Sequence, residues 1–393
     1  MARSTPARCL QMYTLARLQT TAILLPLLAG APAHAALFLG AGCSIPNLDI
    51  QESDELVAVE KFAEANHLLT AALTRFAGNS ARRHDPAIPC TMDRLANLHI
   101  RMGRLEEALT WSQRAVEHAR LAAPPQPAAL LAANLAALHL ELGDTSTAEL
   151  WARYAMTTAT ESGPSYPLAL TTLGAVYAHR ADYVRAQPLF RQALSYVERA
   201  YGARHIEAAF AANNLAHIYR AQEQYSNAAE HYRKAIANFE LSSGSYTWEL
   251  LLVRAGLMVS CEFSFQSATA ESLATALETT IPDLPSDDAR VAALLHDLAL
   301  VRAHRKDYPA ARAALERALT ILESTYGPHS PRMIPALQTY AGILRAAHDK
   351  RTAKRTASRI KLLIRADSRI KRLTRAGEGR ELPSRPPRAI IKP

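Results

Sequence analysis

Small and apolar residues return at helical spacing along most of the chain, and the set of returns itself recurs. One stretch carries Leu173, Gly174 and Tyr177, then Tyr183 and Ala186, then Phe190 and Ala193. A second carries Leu215, Ala216 and Tyr219, then Tyr225 and Ala228, then Tyr232 and Ala235. The offsets match one for one. Steps of three, four and seven residues describe one face of an amphipathic helix. Each stretch therefore predicts two helices joined by a short turn, such as those at Arg104 and Asp182.

The same frame fits elsewhere. Leu95 and Ala96 lead to His99, Gly103, Leu105, Ala108 and Ala115, and Leu135 and Ala136 lead to His139, Gly143, Ala148 and Ala155. Leu298 and Ala299 lead to Tyr308, Ala311 and Ala318, and Tyr340 and Ala341 lead to Leu344, Ala353 and Ile360. A degenerate copy aligns Ala255 and Gly256 with Phe265, Ala268 and Thr275. The copies follow one another at 40, 38, 42, 40, 43 and 42 residues. A leading half repeat at 55–77 has only the second-helix pattern of Phe62, Ala65, Leu69 and Ala72. Full repeats are placed near 89, 129, 167, 209, 249, 292 and 334, so the array covers 55–366. The small residues belong where two helices cross, because a Gly or Ala lets the backbones approach. A single hairpin cannot bury both faces, so such units stack. Pro89, Pro127, Pro167 and Pro335 stand near the starts of first helices, where a missing N–H costs little.

Composition agrees with an all-α chain: 15 glycines among 393 residues, and no alternating strand pattern. Charge is uneven. Residues 350–393 hold 15 Lys and Arg against 3 Asp and Glu, which leaves the preceding residues at −3 of the whole chain's +9. The imbalance points to a basic tail rather than a basic domain.

The N-terminus reads as an address. Arg3, Arg8 and Arg17 precede the apolar run 22–29, and Ala33-His34-Ala35 supplies a small-x-small site. Residues 1–35 are thus expected to be a cleaved secretory signal, followed by a linker at 36–54. An uncleaved anchor over 22–42 and lipidation at Cys43 are the second and third readings, the latter weakened by Gly40 three residues before the cysteine. Export to a periplasm or cell envelope is the expected localisation. An oxidising compartment would permit a disulfide, and Cys43–Cys90 is the pair considered, with three unbonded thiols at Cys43, Cys90 and Cys261 as the alternative.

The copies with Asn213, Asn214, Leu215, Ala216, Ile218 and Tyr219 in the first helix, and the links Gly327-Pro328-His329 and Gly202-Ala203-Arg204-His205, resemble the tetratricopeptide repeat (TPR) family in its kinesin-light-chain-like form. The resemblance implies an α-α solenoid wound as a right-handed superhelix, with first helices lining a concave groove. It also implies that exposed Asn side chains of those helices hold an extended peptide. An amide donates and accepts at once, which suits a peptide bond. The matching residues are Asn97, Asn134, Asn213 and Asn214. His217 and His304 are expected on the inner face in contact with solvent, and His217 joins the partner-binding candidates. The carboxylate clamp of some TPR proteins is not expected, because Asp93 stands where a cation is needed.

No metalloprotease, nucleophile-elbow, phosphate-loop or C-x-x-C motif occurs. His99 and His139 occupy positions that carry Tyr in other copies and read as packing residues. His296 and Asp297 are adjacent in sequence, and such neighbours do not share a helix face. The expectation is a non-enzymatic chain with no cofactor and no metal. Residues 350–376 read as a helix in which Ile360, Leu363 and Ile364 turn inward, followed by a disordered remainder within the basic tail 367–393. Two functions compete: a scaffold that holds a protein or peptide partner, and a recruiter on anionic lipid through the basic end. Nucleic acid is not expected as a partner, since no aromatic residues interleave the bases of the tail. Oligomeric state stays open.

Overall fold

Apolar steps of three and four, with few glycines, produce sixteen α-helices among the described residues of the computed structural model, and no strand. The described residues are 48–58, 61–77, 85–121, 126–242 and 247–377. The expected signal at 1–35, Cys43 and residues 378–393 lie outside them. The helices come as hairpins. The first is α1 (Leu48–Ala58) with α2 (Phe62–Ala77), then α3 (Ala87–Arg101) with α4 (Leu105–Leu121), then α5 (Gln126–Glu141) with α6 (Thr145–Thr158). Next are α7 (Tyr166–His179) with α8 (Tyr183–Tyr201), α9 (Ile206–Ala221) with α10 (Tyr225–Leu241), and α11 (Thr247–Phe263) with α12 (Ser267–Thr280). The last are α13 (Ala289–His304) with α14 (Tyr308–Tyr326), and α15 (Ile334–Ala346) with α16 (Lys350–Gly377).

The chain falls into two compact units, described residues 48–196 and 197–377. Within the first, helices pack consecutively from α1 to α7, and the first helices α3, α5 and α7 also touch in series. Within the second, packing is consecutive from α9 to α16, and α9, α11, α13 and α15 touch in series. This is the α-α solenoid architecture. The leading element is a hairpin beginning at Leu48 rather than a lone second helix beginning near 55. Its first helix is held by Leu56 and Val57, which pack against Ala65, Leu69, Leu95 and Leu98.

The turns inside the seven hairpins from α3 onward follow one rule. The first helix ends on a residue with positive φ: Gly103, Gly143, Ala181, Glu223, Phe265, Lys306 and His348. The amide of the following residue reaches back five positions, as in Asp182 to the Tyr177 carbonyl at 2.9 Å and Gln266 to the Cys261 carbonyl at 2.8 Å. The positive-φ residue itself bonds three back, as in Glu223 to Arg220 at 3.0 Å. These are Schellman caps, which satisfy carbonyls that a helix end would otherwise leave bare. Where the next residue is Asp it caps the second helix: Asp144 accepts from the Thr147 amide, Asp307 from Ala310 and Asp349 from Thr352.

That rule corrects the register of the degenerate repeat. In every other copy the positive-φ residue lies seven after the second residue of the small pair, as Ala181 does after Gly174. Counting back seven from Phe265 gives Met258, so Leu257 and Met258 occupy the place that sequence comparison had assigned to Ala255 and Gly256. Phe265 follows Glu223 by 42 residues, the same spacing as from Ala181 to Glu223, so nothing is inserted and only the small pair is displaced. Phe265 is consequently a turn residue, 95% exposed, rather than the first aromatic of α12. Ala268 and Thr275 are exposed, while Ala270 and Leu277 are buried in their stead. Gly256 still marks a close approach. A Cβ there would lie 2.6 Å from the Tyr232 ring, just as a Cβ on Gly174 would lie 2.9 Å from Phe190.

The break at 281–285 forms a 3₁₀ turn, Ile281–Asp283. One core runs through it, from Met258 and Leu277 through Ile281 to Val291 and Leu295, and on to Leu337 and Leu363. In α16, Ile360 and Leu363 pack on that core as expected. Ile364 does not: it is 45% exposed, because one residue beyond Leu363 the helix has already turned away from α15.

An aromatic residue with φ of +63° carries the left-handed penalty of about 1–2 kcal/mol, partly offset by the entropy a glycine loses on folding. Phe265→Gly is therefore expected to stabilise the protein by about 0.5–1 kcal/mol. The check is a higher urea midpoint with an unchanged slope; a lower midpoint would contradict the strained turn.

Candidate partner-binding face

The first helices α3 and α5 bring two of the expected amides together, around a carboxylate. Asp93 and Asn97 are four apart on α3, hence on one face. Asn97 Nδ2 donates to Asp93 Oδ2 at 3.3 Å. Asn134 Nδ2, from α5, donates to Asp93 Oδ1 at 3.1 Å and Oδ2 at 3.2 Å. Asp93 is buried, and desolvation raises its pKa even though Asn134, Arg94 and Asn97 pull the other way. The two amides are thus spent on satisfying an internal anion, and only their carbonyl oxygens are left for a partner.

Asn213 and Asn214 lie on α9 and are differently placed. Asn213 is half-buried, and its Oδ1 is a buried acceptor without a hydrogen-bond partner. Asn214 is 8% exposed. A buried amide oxygen with no donor is costly, by about 1–3 kcal/mol. Nearly two turns earlier on α9, Glu207 also has a buried oxygen without a partner, and burial pushes its carboxyl up to about 7. The N-terminal half of α9 therefore offers two unspent acceptors.

His217 is not where it was expected. It is 7% exposed, and its Nδ1 sits 2.7 Å from the Tyr232 hydroxyl with the rings edge to face. His217 shares a face with Asn214 three residues earlier, and that face is covered: both side chains are buried, with the His217 ring against Tyr232 of α10. His304 does reach the surface, but Glu262 Oε1 holds it at 2.8 Å. His99 and His139 are buried, and desolvation lowers both pKa values, as packing residues require. Cys261 is a free, buried thiol, whereas Cys90 is disulfide-bonded. Cys43, the expected partner of Cys90, lies outside the described residues.

The largest departure from the sequence reading is a buried ion pair. Arg220, at the end of α9, is 2% exposed and reaches Asp297 on α13, with Nη1 2.9 Å from Oδ2. The two residues are 77 positions apart, with three helices between them in sequence. Of those three, α11 packs on α13 and touches α9, so the arginine extends past it. Burial alone would raise the Asp297 pKa, but Arg220 and His296 hold it down at about 2. Burial likewise opposes the Arg220 charge, and Asp297 outweighs it. His296 points elsewhere, with Nε2 2.9 Å from the Thr339 hydroxyl on α15. Adjacent residues on α13 thus bond to two different helices, as the helical turn between neighbours demands. A second network joins α11, α12 and α13. Glu262, buried, takes Arg305 at 2.6 Å and His304, while Arg302 bonds Glu271 and Glu278. In sequence nothing but their charge marks these groups. Periodicity carries no information about a partner two repeats away.

Among the described residues, no group of three His, Cys, Asp or Glu is placed to hold a metal ion, and no helix is long and apolar enough to cross a membrane.

Two titrations follow. Removing one partner of a buried pair strands the other, at a cost of about 3–5 kcal/mol, whereas replacing both is close to neutral. Arg220→Met or Asp297→Leu is expected to lose that much in urea unfolding, and the double variant to recover most of it; losses under about 1 kcal/mol in the single variants would contradict the pairing. Because Asp297 is depressed from 3.8 to about 2, its contribution is present above pH 4 and lost as pH falls toward 2. The acid limb of stability over that range is expected to flatten in the double variant. Glu207 has the opposite sign. Its raised carboxyl makes stability fall between about pH 4.5 and 7, so Glu207→Gln is expected to stabilise at pH 8 and to change nothing at pH 4.

The comparisons agree with the repeat geometry. The family model "Tetratricopeptide repeat" matches residues 87–161, 166–240 and 290–359, more than half of the chain. No curated protein matches the chain. Among solved structures, the chain is similar to the apo form of RapI at 15% identity and a TM-score of 0.54, covering 72% of this chain and 99% of that one. It is also similar to a tetratricopeptide repeat protein from Parabacteroides merdae, at 17% identity, a TM-score of 0.45, and coverage of 70% and 91%. A putative kinesin light chain from Podosopora anserina, with nearly identical TPR-like repeats, matches at 17% identity and a TM-score of 0.35, with coverage of 61% and 98%. At these identities the likeness concerns the fold. With its hairpins, Schellman turns and small-residue crossings in register with the matched segments, the chain belongs to the tetratricopeptide repeat family.

Proposed function

We propose that this chain is a non-enzymatic adaptor that holds an extended segment of a protein partner against its first helices, and that an N-terminal signal exports it to the bacterial cell envelope. The observation that carries the reading is Asn213. Asn97 and Asn134 spend their donors on Asp93, but the Asn213 amide oxygen is buried with no donor, beside Asn214 on a first helix. A bound segment that reorients the half-buried Asn213 side chain would bring a backbone N–H to that oxygen. The titratable clusters support a binding role over a chemical one: Arg220, Asp297, Glu262, Arg302 and Arg305 are all consumed by ion pairs within the solenoid. Membership of a family that commonly binds protein partners supports it further. Export is supported by the basic start, the apolar run 22–29 and the Ala33-His34-Ala35 site, and a disulfide at Cys90 suits an oxidising compartment.

The test is chemical crosslinking in the native cell envelope with capture of this chain. Wild type is compared with Asn213→Ala/Asn214→Ala and with a chain ending at Asp367. One protein captured by wild type and by the shortened chain, and lost in the asparagine variant, is the expected result. Capture that ignores the asparagines and fails in the shortened chain would overturn the reading.

A further inference from the structure

The last helix is built against its own local energetics. Between Lys350 and Ala366 the sequence has seven bases and no acid. Four of the bases, Lys350, Arg351, Lys354 and Arg355, fall in the first two turns, where the helix dipole disfavours cations. Lys350 and Lys354, Arg351 and Arg355, and Lys361 and Arg365 are like-charge pairs four apart, each mildly destabilising. A terminal cap needs only a polar outer face, which mixed charges would provide at lower cost.

Arg359 is paired with Glu323 from outside the helix, and among the described residues the bases of the outer face are not neutralised. Arg351, Lys354, Arg355, Lys361 and Arg365 are exposed, and the steps of three, four and seven place them on one face. The opposite face is sealed by Ala353, Thr356 and Leu363. The acids nearest to the helix are committed elsewhere: Asp349 caps Thr352 and pairs with Arg312, and Glu323 pairs with Arg359 at the edge of the sealed face. Within the cationic face stands Leu362, 64% exposed. A large apolar side chain among five bases is the composition of a helix that lies in a membrane interface. Nucleic acid fits less well, because no aromatic residue accompanies the bases in this part of the helix.

We infer that the outer face of α16 docks on an anionic lipid surface, with Arg351, Lys354, Arg355, Lys361 and Arg365 over the headgroups and Leu362 inserted between them. The helix spans roughly 40 Å at 1.5 Å per residue, a straight edge suited to a planar surface. The inference is independent of the partner-segment reading, since α9 takes no part in it.

The experiment is flotation of the purified full chain with phosphatidylcholine vesicles and with vesicles of phosphatidylcholine and phosphatidylglycerol. Wild type is expected to float with the anionic vesicles only, and to be released by salt. Lys354→Glu/Arg355→Glu/Lys361→Glu changes exposed residues only, and its fold is checked by circular dichroism and thermal melting. It is expected to weaken binding by about 100-fold or more, at ~1 kcal/mol per base. Leu362→Ser is expected to weaken it by about tenfold, and Asn213→Ala/Asn214→Ala to leave it unchanged. The inference is overturned if wild type floats with neither vesicle or equally with both. It is also overturned if a correctly folded triple variant binds like wild type. Equal binding to polyglutamate or duplex DNA, with no effect of Leu362→Ser, would make the face a general polyanion site and overturn the lipid assignment.

Discussion

Every repeat must bring two helix backbones close enough to share a core, and the rest of the architecture follows from how that crossing is closed. The residues at the crossing have little or no side chain, so the contact at Gly174 leaves no room even for a Cβ without displacing the Phe190 ring. Closing the hairpin at that distance needs a sharp reversal, and a Schellman cap with one left-handed residue provides it. Five of the seven left-handed positions are not glycine. The geometry is therefore imposed by the packing of the two helices rather than by a local preference for the turn. The degenerate fifth repeat makes the point clearly. It keeps the turn at the usual 42-residue spacing while carrying Leu257 and Met258 where other copies have the small pair.

Residues 197–377 carry a second constraint. Their first helices touch in series, and the ends of those helices bring charge into places from which water is excluded. Taking Arg220 and Asp297 out of water is costly, and the pair is tolerable because each supplies the other's counter-charge. The pair ties α9 to α13 across α11, and His296–Thr339 ties α13 to α15. A solenoid is ordinarily a chain of nearest-neighbour contacts. Here polar side chains add links that skip a repeat, so this stretch is expected to unfold more cooperatively than stacking alone would give. Such links specify the angle between successive first helices more sharply than apolar contacts do, because a hydrogen bond tolerates little displacement.

The two ends of the argument about function rest on different kinds of unsatisfied group. On α9 it is a buried acceptor without a donor, which favours a partner that brings a backbone N–H. On α16 it is a run of exposed cations without anions, which favours a surface rather than a segment. The two are compatible in one molecule. A solenoid held on a membrane by its last helix keeps its first helices free to hold something else.

Much was legible in the chain before any coordinates. The seven full hairpins and most of the crossing residues are encoded in steps of three, four and seven and in a period near 42, so a linear reading recovers them. The burial of Ala108, Ala115, Ala186 and Ala235 follows from the same steps. What periodicity could not supply is anything that depends on rotation about a helix axis or on a partner far along the chain. Sequence placed His217 with Asn214 on a solvated inner face, yet the neighbouring helix α10 covers it and Tyr232 takes its ring. It read Ile364 as inward with Leu363, although one residue separates buried from exposed. It aligned Ala255 and Gly256 with the small pairs of other copies, because matching small residues leaves the register open by two positions until the turn shows where the helix stops. Asp93 could be named as hostile to a carboxylate, but that it consumes the amides of Asn97 and Asn134 required two helices to be set side by side. The Arg220–Asp297 pair lies 77 residues apart with no repeat symmetry behind it. Only the stacking of whole repeats decides which charges meet, because side-chain pairing depends on distances in space, to which the order of residues is a poor guide beyond one hairpin.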